Sequence, residues 1–141
     1  MVDASVLVAE LLRKRGRDLF YHPELRCVVA QDQWEETQYE LPKRAKKIVE
    51  NGHLSRLQVD LLLSDINDLF SSRTIDVIPS FVYEGRKTVA LRRVPRDPKD
   101  WAPVALAMTI GAGILTRDGD FLGCGLPTWT VETLRLEIEN A

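Results

Sequence analysis

The chain has 141 residues, of which 45% are hydrophobic and 28% charged, enough for one domain with a substantial core and too few for two. Its 19 basic and 21 acidic residues give a formal charge of −2, which excludes non-specific nucleic-acid binding through a bulk positive field. The two cysteines show no CxxC spacing, which argues against a disulfide framework and a structural zinc site. We therefore expect a single domain over residues 1–141.

The same patterns bear on the cellular location. No apolar run approaches the length of a membrane span. In the N-terminal segment, the basic residues follow the apolar ones, which is the reverse of a signal peptide. These features predict a cytoplasmic protein with no membrane contact.

The first third of the chain predicts a helix, a strand and a second helix. A very short apolar entry, "MV", leads to Asp3 and then to "SVLVAELL", whose apolar positions suit a helix packed on a sheet. Residues 25–31, "LRCVVAQ", are β-branched enough for a strand. A helix is expected to begin near Asp32, with Glu early and Lys late, and Pro42 is expected to kink it or split it in two.

The middle of the chain continues this alternation. Ser55 and Gln58 form a capping-box pattern ahead of "LQVDLLLSDINDLF", which predicts a helix. Residues 75–79, "IDVIP", predict a short strand. Residues 80–95 are ambiguous, because a glycine weakens a helix and the apolar spacing does not define a strand; we predict a helix there.

The last third contains the most regular signals. "RDPKDWAPVALAMTIGAG" has an Asp-Pro start, an apolar helix and a glycine stop, and "ILT" follows as a buried strand. "PTWT" predicts a last strand before a helix from about Val131. The alternation of strands and helices predicts an α/β fold, a three-layer α/β/α sandwich with a central, mostly parallel sheet.

Several acidic residues lie where this fold places its ligand crevice, beyond the carboxyl ends of the strands. They are Asp3, Glu36, Asp97, Asp100, Asp118 and Asp120. Four or more carboxylates that converge there repel one another unless a cation or a proton compensates. Mg²⁺ and Mn²⁺ prefer oxygen ligands of this kind, so the sequence predicts a divalent-metal site.

Four motifs, in this order, resemble the PIN-domain family, including the VapC-type toxin ribonucleases. They are "VDASVLVAEL", an acidic helix carrying Glu36, "RDPKDWAPVALA" and "ILTRDGDF". The resemblance implies a metal-dependent nuclease with an open parallel sheet, usually a homodimer and often paired with a small antitoxin. By position, the four family acids correspond to Asp3, Glu36, Asp100 and Asp118. Asp120 and Thr116 correspond to residues that accompany the fourth acid, and Asp97 to an auxiliary acid of some relatives.

The sequence departs from the family pattern at two places. Only two residues precede Asp3, so either the first strand is stunted or the start codon is misassigned. Glu35, Glu36 and Glu40 share one helix, and Glu40 lies one turn from Glu36 on the same face. We favour Glu36 as the helix ligand over Glu40.

Each acid also has a purely structural interpretation. Asp97 suits the N-cap of a helix with Pro98 at its first position, and Asp100 suits a capping box. "RDGD" alone is a common surface turn, and Asp3 alone suits a helix cap. The basic clusters at 13–17, 43–47 and 92–93 are typical of solvated faces, unless one borders the acidic crevice and binds RNA phosphates.

The acidic residues and the family resemblance together predict an endoribonuclease that uses Mg²⁺ or Mn²⁺. The resemblance also implies a narrower version, in which the protein is the toxin of a type II toxin–antitoxin pair. The predicted catalytic residues are Asp3, Glu36, Asp100 and Asp118. The predicted metal ligands are Asp3, Asp100 and Asp118, and the predicted auxiliary residues are Asp97, Thr116, Asp120 and Glu40. The alternatives are a catalytically silent PIN-like interaction module and a phosphoryl-transfer receiver or phosphatase, for which we find no convincing lysine at a strand end.

Overall fold

The computed structural model describes residues 1–140, within which it has seven α-helices and four strands. In chain order they are α1 (Ala4–Leu11), α2 (Lys14–Phe20), β1 (Cys27–Ala30), α3 (Gln31–Glu50), α4 (Arg56–Ser71), β2 (Ile75–Ile78), α5 (Lys87–Arg93), α6 (Trp101–Ile110), β3 (Ile114–Leu115), β4 (Thr128–Trp129) and α7 (Val131–Glu139). Short 3-10 turns occupy Ser80–Val82, Glu84–Arg86, Pro98–Asp100 and Gly119–Phe121.

The sheet is parallel and depends on a first strand reduced to one residue. β1 pairs with β2, and β3 pairs with β4, both in parallel. Val2 joins the two pairs, because it forms a parallel bridge with Leu115 and its N–H donates to the carbonyl of Val28 at 2.9 Å. The spatial order is therefore β2, β1, Val2, β3, β4, and Asp3 follows the central position of the sheet.

Both faces of the sheet are covered, which confirms the three-layer α/β/α prediction. Cys27 and Val29 of β1 point into a core shared with α1, α2 and α4, whereas Val28 and Ala30 point into a core shared with α5 and α6. All four residues are buried, as expected for a parallel strand between two helical layers. The alternation along a single strand thus separates two apolar cores.

Several predicted boundaries are confirmed by specific contacts. Ser55 and Gln58 form the reciprocal capping box that begins α4. α6 ends at Gly111, whose φ of 68° is the left-handed conformation that glycine adopts readily.

Two expectations about the helices are corrected, and one helix was not predicted. α3 runs through Pro42 as one element, so the proline does not split it. The predicted helix over 80–95 is helical only over Lys87–Arg93, with 3-10 turns before it. α2 was not predicted; it packs closely on α1, because a Cβ at Gly16 would lie 2.2 Å from the carbonyl oxygen of Glu10.

Two further observations concern membrane-spanning helices and the state of the cysteines. Over residues 1–140, no helix combines the length and the apolar character that crossing a bilayer requires. Cys27 and Cys124 are both buried free thiols, which agrees with the absence of a disulfide framework predicted from their spacing.

Candidate active site

Asp3 connects the centre of the sheet to α1. Its Oδ2 accepts hydrogen bonds from the Ser5 hydroxyl at 3.0 Å and from the Thr116 hydroxyl at 2.8 Å, and the residue is 7% exposed. Its side chain does not cap α1, and the first N–H of that helix, from Ala4, donates to Gln33 Oε1 at 2.8 Å. The carboxylate is therefore held by hydroxyl groups at the sheet edge rather than used as a helix cap.

Thr116 links Asp3 to the loop that follows β3. Its hydroxyl donates to Asp3 and accepts from the N–H of Asp118 at 2.9 Å. Asp118 Oδ1 in turn accepts from the N–H of Asp120 at 2.8 Å, which forms the turn expected of "RDGD". The turn interpretation and the acidic-site interpretation are thus compatible, because the same turn presents both carboxylates.

Asp100 lies opposite this loop, at the start of α6. Asp97 accepts from the N–H of Lys99 at 3.0 Å and caps the Pro98–Asp100 turn, as its structural interpretation predicted. Asp100 makes no capping hydrogen bond, and its Oδ2 is buried without a hydrogen-bond partner among residues 1–140. A buried, unpaired carboxylate oxygen is costly unless a ligand or a proton satisfies it.

The structure brings three of these acids within reach of one cation. Carboxylate oxygens of Asp100, Asp118 and Asp120 lie within 4.8 Å of one another. Asp3 is connected to this group through Thr116 and contributes to its electrostatics. Oxygen donors in this arrangement suit a hard divalent cation.

The pKa values in this region reflect uncompensated negative charge. Burial, followed by the neighbouring charges of Asp97, Asp118, Asp3 and Asp120, raises the pKa of Asp100 to about 7. Burial also raises the pKa of Asp3, with a smaller contribution from Asp118, while the hydroxyls that donate to Asp3 lower it. A bound cation would favour the ionised form of each carboxylate.

Glu36 of α3 lies close enough to the acidic group for the charge of Asp3 to act on it. Burial raises the pKa of Glu36, and the charges of Asp3 and Glu40 add to this effect. Glu35 accepts from the Gln31 side chain at 3.2 Å instead. Glu36 and Glu40 border a cavity of about 160 Å³ lined by Ala4, Ser5, Val8, Glu36, Glu40 and Arg44. Glu36 lies outside the group of three aspartates but within the same acidic region.

Of the basic clusters, the one at 92–93 lies near the segment that follows β3 and carries Asp118 and Asp120. Arg93 Nη1 donates to the carbonyl of Cys124 at 3.1 Å. Arg96, three residues further on, lies 3.8 Å from Asp120 Oδ1 and is largely exposed. This arrangement places positive charge beside the acids without neutralising the buried carboxylates.

Three buried polar residues near the site were not predicted from the sequence. Gln33, 5% exposed, accepts from Ala4, and the Thr37 hydroxyl donates to the Gln33 carbonyl at 2.8 Å. Their spacing of four residues, in line with Leu41, marks the inward face of the helix and was a usable signal. Glu10, 3% exposed, pairs with Arg117 at 3.2 Å. The burial of Glu10 could have been predicted from its position as the single acid within the apolar segment "SVLVAELL".

Comparison with known proteins agrees with this architecture. The family model described as PIN domain matches residues 1–139. No curated protein matches the sequence. PIN domains are generally nucleases that use divalent metal ions, and the acids that the resemblance singled out lie at the carboxyl edge of a parallel sheet in this chain. With nearly its whole length matched, the chain belongs to the PIN domain family.

Proposed function

We propose that the protein is an endoribonuclease that depends on Mg²⁺ or Mn²⁺. The observation that carries this proposal is the group formed by Asp100, Asp118 and Asp120, whose carboxylate oxygens lie within 4.8 Å of one another. The buried, unpartnered Oδ2 of Asp100 belongs to this group. Membership of a family of nucleases supports the reaction class.

We assign the proposed cation to Asp100, Asp118 and Asp3. Asp100 and Asp118 belong to the group that also contains Asp120. Asp3 lies outside that group and is joined to Asp118 through Thr116. A divalent cation supplies Lewis acidity, which activates water and stabilises the charge that develops in phosphodiester hydrolysis. Thr116 fixes the relative positions of Asp3 and Asp118 through its two hydrogen bonds.

The remaining predicted residues take smaller parts in this proposal. Glu36 is assigned a catalytic role at the border of the cation site, since its pKa is raised by burial and by Asp3. Glu40, one turn further along α3, lines the neighbouring cavity as an auxiliary residue. Asp97 acts mainly as a cap.

The test is cleavage of a panel of single-stranded RNAs with Mg²⁺ or Mn²⁺. The variants Asp3→Asn, Asp100→Asn and Asp118→Asn are each expected to lose at least about a hundredfold in rate, because each removes a proposed ligand of the cation. Asp97→Asn is the matched control, since asparagine retains the cap and loses the same charge. Glu36→Gln is expected to lose more activity than Glu40→Gln.

Two outcomes would count against the ribonuclease. Equal rates for all variants would show that the acids are not the site. Metal binding without cleavage of any RNA would favour the catalytically silent interaction module instead.

The narrower version of the proposal is a cytoplasmic toxin that forms a homodimer and is controlled by a small antitoxin. Exposed leucines on α4 support an interface, since Leu57 is 69% and Leu61 is 60% exposed. Light scattering is expected to give a dimer at micromolar concentration. Expression of the wild type is expected to stop growth, whereas Asp100→Asn should not.

A further inference from the structure

A cavity of about 280 Å³ lies beside Asp118, between the ends of β3 and β4 and the start of α7. Its walls include Thr116, Arg117, Asp118, Leu122, Trp129 and Thr133. Asp118 belongs both to this cavity and to the acidic group, so a ligand in the cavity adjoins the proposed cation site.

We propose that this cavity binds one nucleotide of the RNA next to the scissile phosphate, with Arg117 on the phosphate and Leu122 against the base. This inference rests on the proposed ribonuclease function and adds to it the residues that hold the substrate.

The position of Arg117 supports the phosphate contact. Its Nη2 lies 3.2 Å from Oε1 of Glu10, whose side chain is 4% exposed, while the Arg117 side chain remains 45% exposed. Arginine has five N–H donors in a planar fork, so donors beyond the one paired with Glu10 remain for a phosphate, and Arg117 is part of the cavity lining. The buried carboxylate of Glu10 thus fixes the position of the guanidinium and leaves other N–H donors of Arg117 unpaired with it.

The walls also suit a nucleobase. Leu122 is 73% exposed beside the acidic loop, where an apolar side chain contributes nothing to the core. Trp129 and the methyl groups of the threonines extend this apolar surface. The volume lies near the lower end of ligand pockets, which fits one nucleotide rather than a larger ligand.

A second cavity beside the acids is less suited to a phosphate. The lining there contains one arginine, Arg44, and two acids, Glu36 and Glu40, of which Glu40 also lies 3.9 Å from Lys43. In the Arg117 cavity the carboxylate of Asp118 is the acid of the lining and is itself a proposed cation ligand. Electrostatic complementarity therefore favours the Arg117 side for the RNA backbone.

The experiment measures binding of a fluorescent single-stranded RNA at several salt concentrations, in an Asp100→Asn background that keeps the RNA intact. Arg117→Ala is expected to weaken binding about tenfold and to reduce the slope of log affinity against log salt by about 0.7, as for one phosphate contact. Arg13→Ala is the matched control, because Arg13 pairs with the same Glu10 oxygen at 3.5 Å and is not part of this cavity's lining. It should change neither quantity.

Two further variants separate the parts of the site. Leu122→Ala, at an exposed position, is expected to weaken binding a few-fold with an unchanged salt slope, because it removes an apolar contact and no charge. Glu10→Gln acts through Arg117, so in the cleavage assay it should raise KM about threefold and leave kcat unchanged. A drop in kcat with constant KM would assign Glu10 a purely structural role and remove it from the proposal.

The outcomes distinguish this inference from the proposed function. If Arg117→Ala and Leu122→Ala both bind RNA as the parent does, while the protein without the Asp100 substitution cleaves RNA, the cavity proposal is overturned and the ribonuclease stands. If the wild type neither binds nor cleaves RNA, the proposed function fails and the cavity proposal fails with it. Melting temperatures of Arg13→Ala and Arg117→Ala that agree with each other exclude unfolding as the cause.

Discussion

Two buried acidic regions lie at opposite ends of α1, and they differ in whether basic side chains contact the buried acid. At the C-terminal end, Glu10 is 3% exposed and two arginines contact its Oε1, Arg117 at 3.2 Å and Arg13 at 3.5 Å. At the N-terminal end, Asp3 accepts hydrogen bonds from two hydroxyls and forms no ion pair within residues 1–140, and the nearby Asp100 has a buried oxygen without a partner there. The fold can supply cations to a buried acid, so an uncompensated acidic centre is typical of a site that takes its cation from solution.

The largest expected effect comes from removing both cations of Glu10. In Arg13→Ala/Arg117→Ala the buried carboxylate loses both ion pairs, which should lower the free energy of unfolding by about 3 kcal/mol. The melting temperature should fall by about 10 °C. Each single variant keeps one cation and should cost less than about 1 kcal/mol. A double variant no worse than the sum of the singles would show that Glu10 needs no compensation.

A nearly equal effect of opposite sign is expected when a cation is added to the acidic centre. Mn²⁺ at a hundred times its dissociation constant should raise the free energy of unfolding of the wild type by about 2.7 kcal/mol. Asp100→Asn should show little of this stabilisation at the same concentration, since it lacks a proposed ligand. Thermal melts with and without Mn²⁺ measure the difference, and equal stabilisation of both proteins would place the cation elsewhere.

A smaller effect is expected from the hydroxyl that connects Asp3 and Asp118. Thr116→Val keeps the shape of the side chain but removes both hydrogen bonds, so RNA cleavage should fall about tenfold, or about 1.4 kcal/mol in the barrier. Thr116→Ser retains the hydroxyl and should cleave at close to the wild-type rate. Equal losses in the two variants would mean that packing, not hydrogen bonding, is the contribution of Thr116.

The smallest effect concerns stability without a cation. The pKa of Asp100 is about 7 in the folded protein, against an ordinary 3.8. The protonated carboxyl therefore stabilises the folded state at about pH 4, and this stabilisation is lost as the pH rises through about 7. Asp100→Asn mimics the protonated form, so in chelator at pH 8 it should melt about 3 °C above the wild type, as about 1 kcal/mol would cause after solvent screening. The two proteins should converge below about pH 4, where the Asp100 carboxyl is protonated in the folded and the unfolded state. A variant that melts lower at pH 8 would assign Asp100 a structural role.

Much of the candidate site could be predicted because short motifs carry it. Asp100 follows an Asp-Pro helix start, and Asp118 begins a turn after a buried strand. Both patterns depend on neighbouring residues only, so they can be recognised without the tertiary structure. Glu10 and Arg117 are 107 residues apart, and nothing local in either stretch indicates the pair. The same holds for Gln33 and the first N–H of α1. Contacts of this kind form because the order of strands in the sheet brings distant segments together, and a local sequence pattern does not specify that order.

The sequence by itself determined the α/β class, the helix caps and the acids at the strand ends, because hydrophobic periodicity and turn chemistry act within a few residues. Tertiary structure alone decided that Val2, a single bridging residue, joins the two pairs of strands and so places Asp3 beside Thr116. It also decided that buried Glu10 receives an arginine whereas the buried oxygen of Asp100 has no partner among residues 1–140, because that depends on side chains brought together from distant parts of the chain.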